Sequence, residues 1–119
     1  MKNKLDIADI RSLLFIFDIE NTYDEEREAV IASKNVNDES ELTELFDILM
    51  RPEFLVYTSR EREILISTID YFLGENDTFE RVFEKITTYF DDEVINKRAF
   101  MEVLLRCLQR YQEDSRALT

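Results

Sequence analysis

One glycine and one proline occur in 119 residues, and that scarcity constrains the fold more than any motif does. Hairpin-rich β architectures turn on glycine, Asn-Gly pairs and proline-bearing loops. A chain with two such breakers is directed instead towards helices joined by short polar connections. Hydrophobic residues make up 45% of the sequence, which argues against disorder in spite of the charge. At this length one domain over residues 1–119 buries a core without disulfide or metal staples.

Apolar spacing and capping signals mark five to six amphipathic helices. A helix over 6–18 is apolar nearly all round in its second half (Leu13, Leu14, Phe15, Ile16, Phe17) and belongs at the centre of the core. Thr22 with Glu25 opens a short helix whose apolar face, Val30 and Ile31, is weak. Asp38 with Glu41 opens the next, followed by Leu42, Leu45, Phe46 and Leu49; Pro52 is expected to end it near Arg51. The connection "EFLVY" then leads to a helix capped by Thr58 with Glu61. That helix carries Leu65, Ile66, Ile69, Phe72 and Leu73 inward and stops at Gly74, the residue suited to a left-handed C-terminal position. Asp77 with Glu80 opens a helix bearing the stripe Phe79, Val82, Phe83, Ile86 and Phe90, whose simplest use is core packing. The last helix, over 92–113, turns Phe100, Met101, Leu104, Leu105, Leu108 and Tyr111 inward and sets Glu102, Arg106, Arg110 and Asp114 in an i, i+4 ladder outside. The expected fold class is all-α, a compact single-domain bundle.

The composition removes much chemistry. There is no histidine, so Ser-His-Asp and Cys-His catalysis, histidine-based zinc sites and the commonest general base are absent. Gly74 alone cannot form a phosphate-cradling glycine loop. Cys107, the single cysteine, lies between leucines in "EVLLRCLQR" and reads as a buried, inert thiol in a reducing compartment. The run "LLFIF" is too short to span a bilayer, and "MKNKLDIADIR" has acids where a signal peptide would not. A cytoplasmic protein is expected, without catalytic residues and without a cofactor.

Charge is the feature left to explain. Twenty-seven acids face fifteen bases, a net charge of −12, which disfavours nucleic acid and anionic membranes as partners. The excess is uneven. Residues 35–57 hold six acids and one base, and residues 75–93 hold seven acids and two bases, so each segment is −5. Residues 94–119, with five bases and three acids, are +2. "NVNDESELTELFD", residues 35–47, carries five carboxylates and no base. Asp38, Glu39 and Glu41 suit a helix start and its dipole. On a wheel at ~100° per residue, Glu44 and Asp47 fall opposite the leucine face, and like charges three apart cost a few tenths of a kcal/mol each. Local structure does not account for that pair.

The reading that follows is a small acidic inhibitor that binds and neutralises a basic protein, as a monomer in a 1:1 complex. Its expected contacts are Asp38, Glu39, Glu41, Glu44 and Asp47, with Glu75, Asp77, Asp91, Asp92 and Glu93 as a second patch. Phe54 or Tyr57 would supply an aromatic anchor. In size, charge and helicity the whole chain looks like small bacterial immunity proteins, which neutralise a cognate toxin, and like phage-encoded inhibitors that mimic nucleic acid. The first resemblance implies a nuclease-type toxin as partner, with a basic cleft for the acids to occlude. Separately, Glu25-x-x-Glu28 followed by Glu44-x-x-Asp47 is similar in spacing to the paired metal motif of the all-α nucleoside triphosphate pyrophosphohydrolases. That resemblance implies a Mg²⁺-dependent enzyme with Glu25, Glu28, Glu44 and Asp47 as ligands. Lys97 and Arg98 are then the only adjacent bases downstream to meet phosphates. An adaptor without active chemistry is a third possibility.

Overall fold

Capping side chains set the starts of three helices in the computed structural model, which describes residues 7–18, 25–84, 90 and 93–117. Helix α1, Ile7–Leu14, tightens into a 3₁₀ turn over Phe15–Phe17. Leu13, Leu14, Ile16 and Phe17 are buried as expected, but Phe15 faces outward. Helix α2 is Glu25–Ser33, with Ile31 as its buried residue; the Thr22 cap lies outside the described residues. Asp38 caps α3, Glu39–Leu45, by accepting from the Ser40 and Glu41 amides at 2.9 and 3.2 Å.

Pro52 does not end this helix. A π-helical turn, Phe46–Met50, leads directly into α4, Arg51–Val56, and Pro52 sits in the first turn of α4. The Arg51 amide donates to the Phe46 carbonyl, five residues back. A wider turn just ahead of the ring accommodates a residue that has no N–H and that would crowd the carbonyl four before it in α geometry. "EFLVY" is therefore mostly helical, with Phe54 wholly buried.

Thr58 and Glu61 form the expected capping box on α5, Ser59–Gly74, with exchanged bonds of 2.8 and 3.2 Å. Its other end differs from expectation. Gly74 is an ordinary helical residue and Asn76 takes the left-handed position (φ 58°). The Asn76 amide reaches the Leu73 carbonyl and the Asp77 amide reaches that of Phe72, at 3.2 and 3.0 Å. Asparagine tolerates this conformation better than most residues because its short polar side chain can hydrogen-bond the nearby backbone. From α7, Arg98 donates to the Leu73 and Asp77 carbonyls at 3.2 and 3.1 Å, closing the same end.

Helix α6 is one turn, Glu80–Phe83, in place of the expected helix from Asp77. Asp77 accepts from the Phe79 amide two residues on, at 2.7 Å, and Phe79 is left-handed (φ 61°) and fully buried. Such a backbone for a bulky residue costs on the order of 1–3 kcal/mol, offset here by complete burial of the ring. Ile86 lies outside the described residues. The described remainder of the stripe packs inward: Val82 is buried, and Phe83 and Phe90 lie 5.2 and 5.9 Å from the Phe100 ring. The last helix, α7, spans Lys97–Ala117. Asn96, not the acids before it, caps it by accepting from the Ala99 amide at 3.0 Å.

Among the described residues the protein is an all-α bundle without strands. Helix α7 packs on α5, α3 and α4, and α1 packs on α5 and α6. The radius of gyration is 13.9 Å, against ~13.5 Å for a compact chain of this length. Phe17, Phe46 and Phe100 join in sequence at 6.0 and 5.4 Å, so one aromatic cluster ties α1, the π turn and α7 together. No helix among the described residues is long and apolar enough to cross a membrane.

Candidate functional site

The five carboxylates of residues 35–47 all have work inside the protein. Asp38 caps α3. Glu41 accepts the Asn35 amide at 3.0 Å, reaching behind the cap instead of closing a box with Asp38. Glu44 pairs with Lys34 at 3.1 Å, and Glu39 with Arg106 at 3.1 Å. Asp47 accepts from both the Arg110 guanidinium and the Tyr111 hydroxyl, the latter at 2.5 Å. Helix α7, the net-positive segment, thus lies against the acidic face of α3 and the π turn. The expected ladder on α7 is not built, because Arg106 and Arg110 turn to Glu39 and Asp47 instead of to Glu102 and Asp114.

The groups around Asp47 are shifted from their ordinary protonation behaviour. Burial, then the hydrogen bond to Asp47, holds the Tyr111 hydroxyl protonated far above its ordinary range. Burial likewise pushes the Cys107 thiol up, so this thiol is a poor nucleophile. Burial works against the Arg110 charge, but the Asp47 carboxylate overcomes it and raises the pKa. Arg106 is raised by its hydrogen bond to Glu39. The cluster is a clamp between two elements, with Tyr111 buried and the Asp47 and Arg110 side chains partly open to solvent.

The second predicted patch is built differently. Asp77 pairs with Arg81 at 3.2 Å. Glu75 and Glu93 are exposed and make no ion pair among the described residues. Asp91 and Asp92 lie outside them. Phe54 cannot serve as an anchor: it is fully buried, 6.3 Å from the Tyr111 ring. Tyr57 is half-buried in a cleft of about 270 Å³ between α1 and α5, with Asp9, Ser12 and Glu61. Its hydroxyl is raised by burial, then by Glu53 and Glu61. Among the described residues no group of three or more His, Cys, Asp or Glu side chains is placed to hold a metal ion. Glu44 and Asp47 are committed to Lys34 and to Arg110 with Tyr111, and they do not converge with Glu25 and Glu28. Nor are Lys97 and Arg98 grouped for phosphate: Arg98 closes the end of α5, and Lys97 lies 5.9 Å from the Phe83 ring.

One feature had no signal in the sequence. The Asn37 side chain accepts the Ile95 amide at 2.9 Å and donates to the Glu93 carbonyl at 2.8 Å. This clamp displays Ile95 at 82% exposure. Beside it a groove of about 370 Å³ runs between the N-terminal ends of α3 and α7, walled by Val36, Leu42, Phe100 and Val103. Comparisons with protein-family models, curated proteins and solved structures give no match for this chain.

Proposed function

We propose that the protein is a small acidic inhibitor that binds a basic protein and neutralises it, in the manner of an immunity protein acting on a nuclease-type toxin. One observation carries this reading: the acidic excess outlasts internal pairing. Glu25, Glu26, Asp70, Glu75, Glu84, Glu93, Glu102 and Asp114 are exposed and lack an ion pair among the described residues. A field of one sign speeds encounter with a basic cleft and excludes competing anions from it. Inhibition is by occlusion and needs no chemistry from the inhibitor, which suits a chain lacking histidine.

The test is to mix the protein with the basic domain encoded by the adjoining reading frame and to measure association and nuclease activity. A 1:1 complex is expected, inactive on nucleic acid, with association that slows as salt rises from about 0.05 to 0.5 M. An association indifferent to salt would sink the acidic-surface mechanism. Calorimetry with Mg²⁺ addresses the enzyme alternative: a micromolar site abolished in Glu44→Gln would favour it.

A further inference from the structure

We infer that Ile95 and the groove beside it form the docking site for that partner, and that its occupant is a basic segment bearing one aliphatic or aromatic side chain between lysines or arginines. This inference rests on the binder reading and adds where and how the partner is held.

Three observations converge. The first is the display of Ile95. An isolated exposed isoleucine is unremarkable on a protein surface, but this one is held in place from 58 residues away. Asn37 uses both its acceptor and its donor on the 93–95 backbone, at 2.9 and 2.8 Å. The second is the hole beside the knob. Val36, Leu42, Phe100 and Val103 are buried yet wall an open groove, and Ile95 and Ala99 stand at its rim. A pocket with apolar walls takes one apolar anchor from a partner, the arrangement in which binding energy concentrates. The third is the charge at the rim. Glu39, the acid that lines the groove, is paired with Arg106, so the available charge comes from Glu93, two residues from Ile95, and Glu102, next to Val103 on α7. Glu93 and Glu102 make no ion pair among the described residues.

Charge also selects between occupants. A knob next to a hole is self-complementary, and a two-fold pair could insert each Ile95 into the other's groove. Two chains at −12 each would then bring like-charged rims together, which disfavours that pairing. A basic segment gains at the same rim.

The experiment uses the full chain, ¹⁵N-labelled, and three synthetic peptides of equal length. One has lysine and arginine flanks around a central leucine. One has the same flanks around a serine. One has glutamate flanks around the leucine. The basic leucine peptide is expected to shift the amide signals of Val36, Ile95, Ala99 and Val103. Its affinity should fall about tenfold when the leucine becomes serine or in the Ala99→Trp chain, and about fivefold in Ile95→Ser, as expected for loss of an apolar anchor. Ile95→Ser keeps the fold because the side chain is in water, so it remains informative if Ala99→Trp disturbs α7. Basic-peptide binding that shifts another face and ignores Ile95→Ser overturns this site and leaves the binder reading standing. Equal binding of the glutamate-flanked peptide overturns the role of charge. A dimer in sedimentation equilibrium that Ile95→Ser dissolves overturns the choice of occupant. No shift with any peptide at millimolar concentration overturns the site, and the salt-dependent partner assay then decides the binder reading separately.

Discussion

Residues 35–57 and 75–93 carry the same net charge of −5, and the fold treats them in opposite ways. In the first, the acids meet Lys34, Arg27, Arg106 and Arg110, and Asp47 also holds a buried tyrosine. In the second, Asp77 is paired, while Glu75, Glu84 and Glu93 face water without an ion pair among the described residues. Equal charge is therefore not equal availability. A carboxylate engaged by a neighbouring helix contributes to folding, and one left in solvent contributes to the field a partner meets.

This contrast can be broken, beginning with the largest effect. Phe54→Ala, in the first segment, removes a fully buried ring and should cost about 3–5 kcal/mol in a urea melt. A loss under 1 kcal/mol would show that the first segment is not anchored as described. Asp47→Asn should cost about 2 kcal/mol, because it weakens a charge-assisted bond to a buried hydroxyl and leaves Arg110 without its carboxylate; Tyr111→Phe, which removes the donor instead, should cost somewhat less. Both are judged against Glu75→Gln, whose change should stay within about 0.5 kcal/mol. Conversely, Glu84→Lys with Glu93→Lys should leave the melting temperature nearly unchanged and slow association with a basic partner severalfold at low salt. If those two changes unfold the protein, the division between structural and available acids is wrong.

A pH series probes the clamp without mutation. Tyr111 and Cys107 have pKa values raised above their ordinary 10.0 and 9.0, chiefly by burial. The unfolded chain therefore releases these protons first as the solution becomes alkaline. Their contribution is intact below pH about 9 and is lost as pH climbs towards the folded values. Thermal stability should fall above pH 9, and the fall should be shallower in Tyr111→Phe. A local effect is expected of Asn37→Ala: faster exchange of the Ile95 amide, with global stability lowered by about 1 kcal/mol or less.

Helical content was legible because its causes are local. The scarcity of glycine and proline, the apolar periodicity and the Thr58–Glu61 box act within one or two turns, and α1, α3, α5 and the inner face of α7 follow from them. Even local reading failed where geometry departed from the ideal helix. Pro52 looked like a stop because an α-helix has no room for its ring, and the π turn at Phe46–Met50 carries the chain through it into α4. Gly74 looked like the terminator because glycine is the usual left-handed residue; Asn76 does the same work two residues later.

The sequence by itself determined that the chain is helical, acidic, free of histidine chemistry and asymmetric in charge. Only the tertiary structure decided which acids are spent. Arg106 and Arg110 lie 67 and 63 residues from Glu39 and Asp47, and Asn37 lies 58 from Ile95. No propensity or spacing rule spans such distances. Those pairings exist because core packing brings α7 against α3 and the π turn, and the charges then settle on the neighbours that packing supplies.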